Sequence, residues 1–244
     1  MGNSAYVSLS HATALERSLN LSAHNLANAS TAGYKSVQPI FQVQNEGDGT
    51  STTALNFVQD SGIYLNQAQG PMTRTDNPGD LAISGPGWFG FDVGGGVAFS
   101  RFGQLVIDVD GQLVTAAGQA ILDPDGTPVV LPNDAGSAFQ IAGDGTISDD
   151  AGDVVGQVGV FRVPDPSALT PIGRGMFADP LGGANLDPDD TSSIAQGFIE
   201  GSNVEAVLEM TRLIDIQRAY EHSVTLMKEE SELTKQAIQR LGRK

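Results

Sequence analysis

Residues 202–241 read SNVEAVLEMTRLIDIQRAYEHSVTLMKEESELTKQAIQRL, forty positions without a glycine or a proline. Ser202, followed three residues later by Glu205, matches a capping box, in which each side chain accepts a hydrogen bond from a backbone N–H that the first turn leaves free. A helix is therefore expected from about Asn203 to Leu241, with Gly242 as its stop. Counted in alternating steps of three and four, Met210, Leu213, Gln217, Tyr220, Val224, Met227, Ser231, Thr234, Ile238 and Leu241 fall on one seam, and seven of these ten are apolar. A narrow 3.5-residue repeat of this kind predicts a coiled coil, whereas a globular surface helix carries a wider stripe. At about 1.5 Å per residue the helix would run roughly 60 Å.

Working outward, the other end of the chain repeats the pattern. Ala12, Leu15, Leu19, Ser22 and Leu26 share the spacing, and Ala5 and Ser8 extend it toward the start. All twelve prolines lie between Pro39 and Pro188, and twenty-five of the thirty glycines lie between Gly47 and Gly183, so both ends are nearly free of helix breakers. Two terminal helices pairing as a coiled coil are expected, the longer one overhanging the shorter. Its uncovered stripe calls for other subunits.

The middle has a different character. Short β-branched and aromatic runs at 88–93, 97–102, 104–109, 112–115, 120–122, 129–131, 139–141 and 158–163 are punctuated by Asp110-Gly111, Asp125-Gly126 and Asp144-Gly145. Such pairs supply the positive φ of tight hairpins, so a central antiparallel all-β domain is expected over 75–179. The fold class is thus α+β: an N-terminal helix within 1–35, connectors at 36–74 and 180–199, and a C-terminal helix within 200–244. Charge follows the same division. Residues 36–199 hold four basic side chains against twenty acidic ones, the whole of the net charge of −16. That field repels phosphate backbones and anionic lipid, so neither nucleic acid nor membrane is an expected partner.

Catalytic chemistry finds little raw material. The letters of Gly85-Pro86-Gly87-Trp88-Phe89-Gly90 match a dinucleotide-binding turn, but they lead into a strand and provide no helix N-terminus for a pyrophosphate. The aspartates at 108, 110, 123, 125, 149, 150 and 153 lack EF-hand spacing, and hairpin turns account for most of them. The chain has no cysteine, its three histidines lie in the helical ends, and no G-x-S-x-G or H-E-x-x-H occurs. No cofactor, metal or enzymatic activity is expected. Arg74 and Arg101 are expected to pair with carboxylates. Residues 1–10 contain neither a basic residue nor a continuous apolar stretch, so no secretory signal is expected, and no window is apolar enough to span a membrane.

Three segments carry a family resemblance. Asn25-Leu26-Ala27-Asn28-Ala29-Ser30-Thr31-Ala32-Gly33-Tyr34-Lys35 resembles the N-terminal signature of the flagellar rod and hook proteins. Residues 70–89, GPMTRTDNPGDLAISGPGWF, with Ser100-Arg101-Phe102-Gly103, resemble the family's entry into its β domain. Glu200-Gly201-Ser202-Asn203-Val204 and Leu213-Ile214-Asp215-Ile216-Gln217-Arg218-Ala219-Tyr220-Glu221 resemble its C-terminal signature. Gly79 departs from the pattern, standing where many relatives have leucine.

The resemblance implies a structural subunit of the basal-body rod, proximal or else distal, that transmits torque from motor to hook. Its implied partners are copies of itself, other flagellar rod proteins and the flagellar type III export apparatus. Export would need no cleaved signal, and the chain would reside in the periplasmic rod. Leu15, Leu19, Leu26, Met210, Leu213, Tyr220, Val224, Met227, Ile238 and Leu241 are the expected assembly surface. Asn25, Leu26, Ala27, Asn28, Gly33, Glu200, Gly201, Ser202 and Asn203 carry the family motif. The alternative of a different class is a secreted calcium-dependent binding module, suggested by the Asp-Gly clusters; a cytoplasmic coiled-coil adaptor is the third reading.

Overall fold

The computed structural model describes residues 2–46, 55–132, 139–179 and 186–241. These form two compact units. The first is built from both ends of the chain: helix α1 (Gly2–Ala27), strands β1 (Val37–Glu46) and β2 (Leu55–Leu65), which make a two-stranded sheet, and helix α2 (Ala206–Leu241). On α1 the inward face holds Ala12, Ser22 and Asn25, all buried, with Leu15, Leu19 and Leu26 half-buried between them. This face meets both α2 and β1.

The expected coiled coil is not what the helices form. The buried residues of α2 are Glu209 and Ser223, neither apolar nor on the anticipated seam. Leu213, Tyr220, Val224 and Met227 are half-buried, but Met210 (45%), Ile238 (65%) and Leu241 (81%) face solvent. Glu209, Leu213, Ile216, Tyr220, Ser223 and Met227 line the inner face, so half of the anticipated seam is displaced by one residue. The physical reason is polar. The Glu209 carboxylate turns inward and accepts from Arg212 Nη1 at 3.0 Å, an interaction that counting apolar residues does not register. α1 also divides its buried face between α2 and the β1–β2 sheet. A two-stranded coil would devote that face to one partner.

The β1–β2 sheet occupies much of the segment expected to be a connector; residues 47–54 and 180–185 of the two connectors lie outside the described residues. The helix also begins later than the capping box implied. Ser202 Oγ accepts from Val204 N at 3.2 Å, and α2 starts at Ala206.

The second unit is antiparallel β throughout. Its strands are β3 (Met72–Arg74), β4 (Leu81–Ser84), β5 (Trp88–Asp92), β6 (Val97–Ser100), β7 (Leu105–Ile107), β8 (Leu113–Thr115), β9 (Ala120–Ile121), β10 (Gln140–Ile141), β11 (Thr146–Ser148), β12 (Val154–Gln157), β13 (Val160–Arg162), β14 (Thr170–Gly173), β15 (Met176–Ala178), β16 (Asp187–Pro188), β17 (Ser193–Gln196) and β18 (Phe198–Glu200). The main sheet runs β14-β15-β6-β5-β9-β8-β7, with β13 bridging β5 to β16. Leu81, Ile83, Phe89, Phe91, Leu113, Ile121, Ile147 and Val158 pack into one core.

The Asp-Gly pairs make the turns between these strands. Asp108, Asp123, Asp144 and Asp149 each accept backbone N–H groups two residues on, and Gly111, Gly126 and Gly145 follow with φ near +80°. The carboxylates close Asx turns, a role that needs no cation. The two late pairings β17–β4 and β18–β3 bring the end of the chain's middle back beside its beginning, with Ala195 opposite Ala82 and Ile199 opposite Thr73.

Candidate functional site: a buried latch joining three motifs

The β18–β3 pairing delivers Glu200, the last residue of β18, to the interior of the second unit, where two cations meet it. Lys35 Nζ lies 2.6 Å from Glu200 Oε1, and Arg101 Nη1 lies 3.3 Å from Oε2. All three side chains are essentially without solvent contact. Charges at this depth persist only when paired and hydrogen-bonded, and the site supplies both. Gly70 N donates to Oε1 at 2.9 Å, and Lys35 Nζ donates also to the Ala68 carbonyl at 2.7 Å. Arg101 donates to the carbonyls of Ile83 and Gly85 and stacks over Trp88, its guanidinium carbon 5.5 Å from the ring centroid. Its Nε is one of two buried side-chain polar atoms among the described residues left without a hydrogen bond.

Burial pushes the Lys35 ammonium below its usual range, and the charge and hydrogen bond of Glu200 recover only part of that shift. Burial lowers Arg101 in the same way, against the opposing pull of Glu200. The cluster is therefore a costly arrangement held by geometry. Two cations share one carboxylate, and all three side chains are buried.

Backbone contacts complete the latch. Gly33 N donates to the Glu200 carbonyl at 2.7 Å, Asn203 N donates to the Tyr34 carbonyl at 3.3 Å, and Gly201 N donates to the Pro71 carbonyl at 2.8 Å. The Asn203 side chain works on both sides: Oδ1 accepts from Ser36 N at 2.8 Å, while Nδ2 donates to the carbonyls of Asn66 and Ala68 at 2.9 Å. Gly33 sits at φ +66° with the backbone of Arg101 and Phe102 so close that a Cβ would overlap it. At Gly70 a Cβ would overlap the Gly201 carbonyl. The motif residues from three parts of the sequence thus meet by direct backbone approach.

Within the first unit, Asn25 makes a matching clamp. Its Nδ2 donates to the Val37 carbonyl at 2.8 Å and its Oδ1 accepts from Val37 N at 3.0 Å, tying the last turn of α1 to the start of β1. Leu26 is half-buried and Ala27 exposed. Asn28 belongs to the turn that follows, where its carbonyl accepts from Thr31 N.

Sequence reasoning named Glu200, Gly33 and Asn203 as motif residues without assigning them contacts, and it missed that Lys35 and Arg101 share one carboxylate. Arg74 pairs with Asp76 in solvent, and Arg162 with Asp189. Burial pushes the Asp189 carboxyl up, but hydrogen bonds from Ser192, Thr191 and Arg162 outweigh it and hold the group at about 2. Among the described residues no cluster of three or more His, Cys, Asp or Glu is arranged to hold a metal. No described helix is long and apolar enough to cross a membrane.

Two family models match the chain. Residues 82–149 match the flagellar hook protein FlgE/F/G D1 domain, and residues 195–240 match the flagellar basal body rod FlgEFG protein C-terminal domain. Arg101 falls in the first and Glu200 and Asn203 in the second. The chain is 36% identical to the flagellar basal-body rod protein FlgF of Caulobacter vibrioides, over 100% of this chain and 99% of the other. It is 34% identical to FlgF of Mesorhizobium japonicum over the full length of both. It is 28% identical to the flagellar basal-body rod protein FlgG of Bacillus subtilis over 98% of each.

Proposed function

The chain belongs to the flagellar basal-body rod protein family, as a structural subunit of the rod similar to FlgF, and from that premise we propose how its two units divide the work. The helical unit is the assembly element, and the β unit, held together by the Lys35–Glu200–Arg101 latch, is the rigid body that it carries. The observation behind this reading is the set of apolar side chains left exposed on α2, Met210, Ile214, Leu226, Leu233, Ile238 and Leu241, spread along a helix of 36 residues. Such a helix is about 54 Å long. Apolar side chains repeated over that length are covered when neighbouring subunits, copies of this chain or other rod proteins, pack against them.

Continuous contacts of this kind resist shear, which is what a shaft passing torque from motor to hook requires. The subunit reaches the periplasmic rod through the flagellar type III export apparatus without cleavage of a signal. The half-buried Leu15, Leu19, Leu26, Leu213, Tyr220, Val224 and Met227 hold the helical unit together so that the exposed apolar residues are presented. Deleting residues 205–244 is expected to abolish motility and remove the subunit from isolated basal bodies. Motile cells carrying that deletion would overturn the proposal. The calcium-dependent alternative loses much of its motive, since Asp108, Asp123 and Asp149, among the aspartates on which it rested, close Asx turns.

A further inference from the structure

We propose that the tip of the β7–β8 hairpin of one copy docks in a groove beside Arg174 of the next, giving the β units their own head-to-tail contact. The inference rests on the rod reading above and adds a second interface, separate from the helices. It starts from the cations. Of the four basic residues between 36 and 199, Arg74, Arg101 and Arg162 are paired with Asp76, Glu200 and Asp189. Arg174 alone among them has no ion pair among the described residues. It stands in an acidic unit that must pack beside copies carrying the same charge.

The position of Arg174 is built rather than incidental. It occupies the β14–β15 turn with φ +55°, between Gly173 and Gly175, which also have positive φ. A left-handed non-glycine residue stores strain, and strain of this kind collects where a side chain must be aimed. The turn is anchored from behind by Ser100 Oγ, which is buried and donates to the Gly175 carbonyl at 2.8 Å. Arg174 borders a groove of about 750 Å³ whose apolar lining includes Phe102 and Met176 and whose polar lining includes Thr31 and Gln119. Ala117, exposed on the turn between β8 and β9, also lines the groove. The groove therefore accepts an apolar side chain flanked by a carboxylate.

One segment of the chain has that chemistry in projecting form. Val109 is 97% exposed at the tip between β7 and β8, with Asp108 before it and Asp110 after it. Asp108 is engaged within the turn, accepting from the N–H groups of Asp110 and Gln112 at 2.9 and 2.8 Å. The Asp110 carboxylate has no partner among the described residues and is free to meet a guanidinium. Val106 and Ile107, exposed on the adjoining edge strand β7, extend the apolar surface. Tip and groove lie at opposite ends of β8, a rigid strand of three residues that holds them about 10 Å apart. The tip consequently seats in another copy's groove. A contact between two different patches does not close on itself and propagates as an open helical series.

The chain contains no cysteine, so introduced cysteines report this contact alone. Full-length chain carrying Val109→Cys and Ala117→Cys together should give a ladder of disulfide-linked multimers under mild oxidation, in isolated basal bodies and at high concentration in solution. Mixing the two single variants should stop at dimers. Arg174→Glu or Asp110→Arg added to the double-cysteine chain should each lower the yield at least tenfold, and combining both should restore it. No ladder from double-cysteine chain that is present in basal bodies, or no restoration by the charge swap, overturns the proposal and leaves the rod reading intact. Absence of the unmutated chain from basal bodies overturns the rod reading itself.

Discussion

Replacing Glu200 with glutamine, compared with replacing Lys35 with methionine, tests whether one carboxylate organises the β unit. With the pair distances at 2.6 and 3.3 Å, Glu200 attracts Lys35 and Arg101 by about 6 and about 5 kcal/mol in gross Coulomb energy at an effective dielectric of about 20. Taking three charges out of water cancels most of that, so the assembled cluster is worth little net, while breaking it is expensive. Glu200→Gln leaves two buried cations facing a neutral amide, and removal of one partner from a buried pair costs about 3–5 kcal/mol. Lys35→Met leaves Glu200 with Arg101 and Gly70 N, so it costs about 1–3 kcal/mol, the worth of one charged hydrogen bond.

Trp88 is the chain's one tryptophan, is buried in this unit and stacks on Arg101, so its fluorescence follows the β unit and not the helices. In urea titrations of the full-length chain, the glutamine variant should unfold about 2 M earlier than the parent at a slope of about 2 kcal/mol/M, and the methionine variant about half as far. A glutamine variant as stable as the methionine variant, or more so, would refute the claim that Glu200 is the shared partner.

Gly33→Ala places a Cβ in the Arg101–Phe102 backbone at φ +66° and should cost about 3 kcal/mol. Gly94→Ala, at φ +76° in open space, should cost only about 1 kcal/mol in the same titration. Asp189 has a folded value of about 2, below its ordinary 3.8, so its contribution is complete above about pH 4 and lost as pH falls through about 2. Asp189→Asn should therefore lower stability by about 2 kcal/mol at neutral pH and flatten the acid dependence between pH 4 and 2, read by thermal melts. Ile238 is exposed near the end of α2, so Ile238→Asp should leave the isolated subunit within about 0.5 kcal/mol of the parent while abolishing incorporation into basal bodies.

Both helices and most central strands were legible because their signals are local: a long absence of breakers on one hand, Asp-Gly turns between β-branched runs on the other. The rotation of α2 was not, because Glu209 and Ser223 face inward and a count of apolar residues places them outside. Strands β1 and β2 were hidden by a polar, glutamine-containing segment whose Ile40, Phe41, Val43 and Tyr64 remain exposed, so no clean alternation marks a buried face. The latch was out of reach for a different reason. Lys35 and Arg101 are 165 and 99 positions from Glu200, and nothing in a linear pattern pairs charges at that range. The available hint was positional: Lys35 closes one motif and Glu200 opens another, where ordinary solvated charges have no reason to sit.

The two departures from ordinary partition are complementary. In the β unit, charges are buried where an apolar core would be more stable; on α2, apolar side chains are exposed where charges would be more soluble. A buried ion cluster tolerates few alternative arrangements, because any slip of β18 against β3 leaves a cation unpaired at a cost of several kcal/mol. It therefore fixes one register for the segments that lead into both helices, residues 28–36 and 201–204. In the proposed assembly the exposed residues of α2 impose the opposite condition, since they are to be covered by neighbours. Under the proposed function, a subunit that must remain a defined body before assembly and a stiff one afterwards needs both: internal contacts that permit one register, and external contacts that stay incomplete until a neighbouring subunit arrives.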